Sequence, residues 1–208
     1  MIIDINKLKE DQIRLSKKIV LKDEFEKIEK IAGCDIAQKG NELVAAIVVC
    51  DYKTLNVLEK QYTITSAKIP YIPEFLGFRE CPALIECYSK LTAEPDILIF
   101  DGNGILHPRR FGAASQLGLS IDKPAIGVAK SLLCGEVKGN EVFLNDEKVG
   151  FELKTKEFSK PLYVSPGHRI TLKTSVEIVK NLIRPPHKLP EPLHLAHRYA
   201  EEMKEKNE

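Results

Sequence analysis

Three runs, Ile31–Ala37, Leu43–Tyr52 and Leu55–Thr65, have the length and apolar content of strands. Lys39-Gly40-Asn41 and Lys53-Thr54 join them, too short for crossovers, so the runs predict an antiparallel meander. Ahead of them, residues 5–30 set Leu8, Ile13, Leu15, Ile19 and Val20 among charges of both signs, with no Gly or Pro. That pattern predicts one long helix with a wet face. After the meander comes a stiff extended loop, Ile69-Pro70-Tyr71-Ile72-Pro73, then a helix over Glu80–Leu91 with Pro82 in its first turn. Two short apolar runs, Ile97–Phe100 and Ala125–Ala129, read as buried strands with a helix through Ser115 between them. The remainder predicts a hairpin (Val142–Asn145 with Lys148–Leu153), a strand at Leu162–Val164, and helices over Lys173–Ile183 and Leu193–Lys206. No repeat, low-complexity tract or linker interrupts the chain, so one domain over residues 1–208 is expected.

Helix, three meander strands, helix, strand, helix, strand is the order of ribonuclease H-like folds. The expected class is therefore α/β, with a central mixed sheet of an antiparallel three-strand meander plus parallel strands, flanked by helices. In that architecture acids of the first strand, the next helix and the fourth strand meet at one metal site. Asp35, Glu80 and Asp101 occupy those places, and Mg²⁺ favours a few carboxylates completed by water and phosphate. Singly, each acid has a plain explanation: Asp35 as a solvent-facing edge residue, Glu80 as a helix-dipole partner, Asp101 as a turn former.

The chemistry concentrates in Asp96–Lys130. Asp101 stands at a strand's carboxyl end, where ligands of open α/β sheets bind, and Gly102 and Gly104 let the backbone approach a ligand closely. His107, Arg109 and Arg110 follow, and the next strand delivers Lys130. A carboxylate for a metal, cations for phosphate and a histidine to handle water suit a phosphodiester. Tyr71, held out between two prolines, suits a wedge between bases as well as a packing contact.

Composition narrows this picture. A net charge of +1 argues against a general polyanion binder, so nucleic acid must be met by local patches. Seven of the 31 Lys and Arg residues are arginines, and Arg79, Arg109 and Arg110 fall in the motif stretches. Five cysteines without CxxC spacing read as reduced core thiols of a cytoplasmic protein. No signal peptide or membrane span is recognisable. His194 and His197, spaced i, i+3 on the last helix and able in principle to bind metal, have no carboxylate partner at hand and are read as packing or surface residues.

GCDIA (Gly33–Ala37), PYIPEFLGFRE (Pro70–Glu80), FDGNGILHPRRFGAASQLG (Phe100–Gly118) and PAIGVAK (Pro124–Lys130) resemble the signature blocks of endonuclease V, as do SPGHR (Ser165–Arg169) and RPPHKLPEPLHLAHRYA (Arg184–Ala200). The resemblance implies a Mg²⁺-dependent repair endonuclease, with Mn²⁺ as a substitute. Such an enzyme cleaves the second phosphodiester bond 3′ to deoxyinosine in DNA. It implies that Asp35, Asp101 and Glu80 bind metal, that His107 and Lys130 join them in catalysis, and that Pro70, Tyr71, Ile72 and Pro73 form a strand-separating wedge. Arg79, Gly102 and Gly104 are expected to contact substrate. Inosine in RNA is the alternative substrate. A silent nucleic-acid-binding module would not need the intact acid cluster. An actin-like phosphotransferase would need glycine-rich phosphate loops that are absent.

Overall fold

A computed structural model describes residues 3–207. The meander forms as β1 (Lys30–Lys39), β2 (Glu42–Asp51) and β3 (Val57–Ser66), paired antiparallel in sequence order. β4 (Ile97–Phe100) adds parallel to β1, and β5 (Ala125–Ala129) adds parallel to β4. Beyond β5 the sheet turns antiparallel through β9 (Leu162–His168), β8 (Glu147–Leu153), β7 (Glu141–Leu144) and β6 (Glu136–Lys138). The order is β3-β2-β1-β4-β5-β9-β8-β7-β6 in one mixed sheet. β4 and β5 throughout, and β2 between its end residues Glu42 and Asp51, are apolar because helices cover both faces of the sheet's centre.

Residues pointing to opposite faces of β1 build two cores. Ala32 and Cys34 pack with α2 (Leu76–Tyr88) and α3 (Ala113–Ile121). Ile31, Ile97 and Ile99 pack with α4 (Leu172–Asn181) and α5 (Glu191–Lys206). Gly33 permits the closest of these approaches: a Cβ there would lie 2.1 Å from the Pro192 carbonyl oxygen. The first turn of α5 therefore rests directly on β1 backbone, and this contact sets the height at which later α5 side chains cross the sheet.

The first helix differs from expectation. α1 ends at Ser16 (Ile5–Ser16), and residues 17–29 run without helix along the sheet's lower edge. Arg169 N–H donates to the Val20 carbonyl at 2.7 Å, Glu24 N–H to the Arg169 carbonyl at 3.2 Å, and Tyr52 N–H to the Glu29 carbonyl at 2.8 Å. Phe25 and Ile28 pack on the α4–α5 core. These tertiary bonds satisfy the backbone as well as a helix would, so the apolar spacing reflects packing along an edge. α2 starts earlier than expected, after a 3₁₀ turn over Pro73–Phe75, which places Glu80 and Pro82 inside the helix. The hairpin turns at Asn145 and Asp146, both with positive φ, matching a two-residue turn of type I′. The cysteines are free, and Cys34, Cys50, Cys81 and Cys87 are buried. No helix among the described residues is long and apolar enough to cross a membrane.

Candidate metal centre and nucleic-acid interface

β1 and β4 run parallel, so their carboxyl ends lie together at one edge of the sheet. Asp35 sits on β1 one residue beyond the last β1–β4 pair, Cys34 with Phe100, and Asp101 follows Phe100 directly. Asp35 shares the face of Gly33, the face covered by α5. His197 reaches over from α5, its Nδ1 2.6 Å from Asp35 Oδ2. One ligand atom each from Asp35, Asp101 and His197 fall within 4.8 Å of one another. Lys130, leaving the end of β5, forms an ion pair with Asp101. Glu80 comes from α2 on the opposite face and is not one of the three clustered residues.

Three carboxylates meet at this edge. Burial, then the nearby Asp35 and Asp101 carboxylates, push Glu80 up to about 8, with Arg79 working the other way. Asp101 is also raised, by burial and then by Asp35, against the pull of Lys130. Burial works against charge on Lys130, but Asp101 beside it more than offsets this, and the amine stands above its ordinary value. His197 is raised by its hydrogen bond to Asp35, against partial burial. Carboxylates that oppose one another's ionisation in a half-buried site form a donor set that a divalent cation would stabilise. The residues therefore fit a metal, with Asp35 and Asp101 offering oxygens and His197 an imidazole nitrogen.

His197 is a correction to the sequence reading: it faces the acids instead of serving only as packing or surface. Its carboxylate partner lies 162 residues away in the chain, so neighbouring sequence carried no hint of it. The available signal was its place inside the Arg184–Ala200 block. His194, one turn earlier, stacks on His187 with ring centres 3.7 Å apart.

Other expected site residues lie behind the edge. His107 is 2 % exposed. Its Nε2 lies 2.9 Å from the Glu74 carbonyl oxygen, and its Nδ1 accepts from Arg109 N–H at 3.2 Å. With both nitrogens engaged by backbone, the neutral Nε2–H ring is fixed and ties two loops together. Arg109 pairs with Glu74 at 2.7 Å, and Gln12 of α1 donates to the Glu74 carbonyl at 2.7 Å. Arg110 is held by Glu147. Arg79 is 5 % exposed, and its guanidinium donates to the Ile69 carbonyl. This network braces the Pro70–Pro73 loop from beneath while Tyr71 stays 62 % exposed at its tip. Gly104 is buried, and a Cβ there would meet the Pro166 carbonyl oxygen at 2.1 Å. Its missing side chain admits β9 backbone, whereas Gly102 remains partly open beside Asp101. A crevice of about 10 Å³, room for a single water, is lined by Pro73, Gly77, Asn103, His107, Ala113 and Leu133.

His107 also sets a pH dependence of stability. Burial pushes its pKa down to about 4, against the hydrogen bond to Glu74. The unfolded ring titrates near ~6.5, so between these values the unfolded state binds more protons. Stability from this group is full above ~6.5 and declines as pH falls toward 4, by roughly 3 kcal/mol at most. In denaturant titrations, His107→Gln is expected to lower stability at pH 7 and to flatten the fall below pH 6.5. Parallel pH curves for the two proteins would contradict this assignment.

Comparison with known proteins agrees with the geometry. The family model described as Endonuclease V matches residues 13–198. The chain is 40% identical to Endonuclease V of Dictyoglomus turgidum over 200 residues, covering 92% of this chain and 87% of that protein. It superposes on the Endonuclease_V structure from Bacillus subtilis with a TM-score of 0.89 at 32% identity, covering 100% of this chain and 96% of the other. It also superposes on Ciona intestinalis Endonuclease V, in complex with a 24mer DNA containing an inosine followed by a ribo-adenosine. That TM-score is 0.90, at 28% identity and 98% coverage of both chains.

Proposed function

Because the chain belongs to the endonuclease V family, and is thereby a nucleic-acid endonuclease, we propose that it cuts DNA containing deoxyinosine at the second phosphodiester bond 3′ to the lesion, using Mg²⁺ or, in its place, Mn²⁺. The observation that carries this reading is the Asp35–Asp101–His197 cluster at the strand ends. The Ciona relative's complex with inosine-containing DNA supports the choice of lesion.

Asp35 and Asp101, joined by Glu80 or His197, would hold the cation. When bound, it neutralises charge on the scissile phosphate and lowers the pKa of water. Lys130, paired with Asp101, brings its ammonium to the same edge, where it stabilises negative charge developing on the phosphate. Tyr71 fills the space a flipped base leaves in the stack, and its proline-stiffened loop loses little further entropy in doing so. Asn103 Oδ1, buried two residues beyond Asp101 without a protein partner, is an acceptor of the kind that matches the N1–H donor distinguishing hypoxanthine from adenine. We place the protein in the cytoplasm.

Nicking of matched oligonucleotides carrying one deoxyinosine, one riboinosine or adenine, with and without Mg²⁺, tests the proposal. Mg²⁺-dependent cutting one nucleotide beyond deoxyinosine is expected. Cutting confined to riboinosine would reassign the substrate to RNA, and none on either would reject the reading.

The wedge has its own test. Tyr71→Ala is expected to weaken binding to inosine-containing duplex by ~1–3 kcal/mol, and to the same lesion in a single strand by clearly less. The melting temperature should stay unchanged, because the ring is already 62 % exposed. Equal losses on both substrates, or a lower melting temperature, would make Tyr71 a packing residue.

A further inference from the structure

The loop between β8 and β9, Lys154–Pro161, carries the most exposed large apolar side chain among the described residues: Phe158, 95 % exposed. A lone exposed apolar residue is ordinary, but this one combines three features. First, it occupies the third position of a turn, where Ser159 N–H and Oγ both donate to the Lys156 carbonyl, at 3.4 and 2.9 Å. Its φ is +58°, in the left-handed region that such turns usually fill with glycine or asparagine. A phenylalanine there costs backbone strain and gains no core contact, a combination that points to a binding role.

Second, the loop that carries the ring is rich in positive charge. Lys154, Lys156 and Lys160 lie within the same loop, all exposed, against Glu157 alone. Thr155 Oγ1 donates to the Lys188 carbonyl at 2.7 Å, which pins the loop to the 184–190 segment. Partial burial, and then the charges of Lys130 and Lys160, hold the Lys188 amine below its ordinary value. Lysines of the loop, the pinned segment and the acid edge thus form one neighbourhood.

Third, the loop stands at the edge used by the acids. Tyr163 of β9 pairs with Ala129, the residue before Lys130, and Leu153 pairs with Leu162 to close the loop above them. The Tyr71 loop follows β3, which runs parallel to β1, so it rises from this edge too. In the strand order, β3 lies on one side of β1 and β4, and β9 and β8 on the other. The acids are therefore flanked by two aromatic-tipped loops. From β4 to β8 is three strand spacings, roughly 15 Å, or on the order of four nucleotides at ~3.4 Å each along one strand.

We propose that Phe158 is a second nucleic-acid contact, stacking on a base of the cut strand 3′ to the cleaved bond while Lys156 and Lys160 meet the adjoining phosphates. It rests on the reading above, in which the lesion lies on the Tyr71 side and cleavage occurs between the two loops. A solvent-facing ring framed by lysines is the arrangement with which single-strand binders hold a base without reading its identity.

The test varies the length of the inosine strand past the cleaved bond. Binding is measured in EDTA for duplexes ending about one or about eight nucleotides beyond it, a span that brackets the ~3.4 Å per nucleotide estimate. Wild type is expected to bind the longer duplex more tightly. Phe158→Ala should reduce that gain by about tenfold, leave the shorter duplex and the melting temperature unchanged, and leave saturated-enzyme nicking of the longer duplex intact. Phe158→Trp should restore the gain. The same gain in Phe158→Ala, or equal losses on both lengths, overturns the proposal. A wild-type protein with no preference for inosine over adenine overturns the underlying reading as well, a result visible before any variant is made.

Discussion

Asp101→Asn is expected to reduce strand cleavage by roughly 10³-fold or more, with inosine-DNA binding largely kept and no loss of thermal stability. The first expectation follows from position. Asp101 is the junction of the cluster, sharing it with Asp35 and His197 and pairing with Lys130. Asparagine keeps the shape but removes the charge that offsets a cation. The stability expectation follows from the sign of the shift. Burial and Asp35 raise the Asp101 pKa in the folded protein, so folding penalises the ionised form. Above the unfolded pKa, stability falls as pH rises toward the folded value. Removing the ionisable group removes that penalty and sacrifices the ion pair to Lys130, whose ammonium end is half-exposed and screened by solvent. A variant that is inactive but at least as stable as wild type at pH 7.5 is the expected result. Substantial nicking by folded Asp101→Asn would take Asp101 out of the centre, and a clear drop in melting temperature would mean that the ion pair outweighs the repulsion.

The sequence exposed those parts of the site that rest on regular strands. β4 and β5 appear at the bounds their apolar runs suggest, and each is followed directly by a residue that carries chemistry, Asp101 or Lys130. Strand ends are legible because a short run of β-branched and aliphatic residues has to stop where polar residues begin. Over residues 17–29 helical spacing and edge packing place apolar side chains alike, and only the bonds to Arg169 and Tyr52 decide between them. β6 escaped notice because Glu136–Lys138 is short and half-polar, its place fixed by pairing with β7. His107 and Arg79 drew attention through their chemistry, yet both are buried as loop braces. A sequence shows which groups could bond, but their partners emerge only when α1, the wedge loop and the His107 segment meet.

The same limit hid His197, and it makes the second large expectation. His197→Ala should lower single-turnover cleavage by about 10–100-fold, the usual cost of losing a residue that holds a metal-binding carboxylate. Nδ1 bonds Asp35 Oδ2 at 2.6 Å, and α5 cannot drift because Pro192 is seated on Gly33. Geometry alone leaves His197 two roles, orienting Asp35 or donating a nitrogen to the cation. Gln separates them: its amide N–H can still donate to Asp35, but amide groups replace imidazole poorly as metal donors. A positioning role predicts that His197→Gln regains much of the rate lost in His197→Ala, with metal affinity in both variants near that of wild type. A ligand role predicts that both variants lose metal affinity alike and that glutamine rescues nothing. Titrating Mg²⁺ and Mn²⁺ against the two proteins by calorimetry, alongside single-turnover rates, decides between these roles. Wild-type rates and affinities in both variants would remove His197 from the centre altogether. Because His197 is half-exposed on a helix anchored at Pro192, neither substitution should unfold the protein, so a lost rate reports the site.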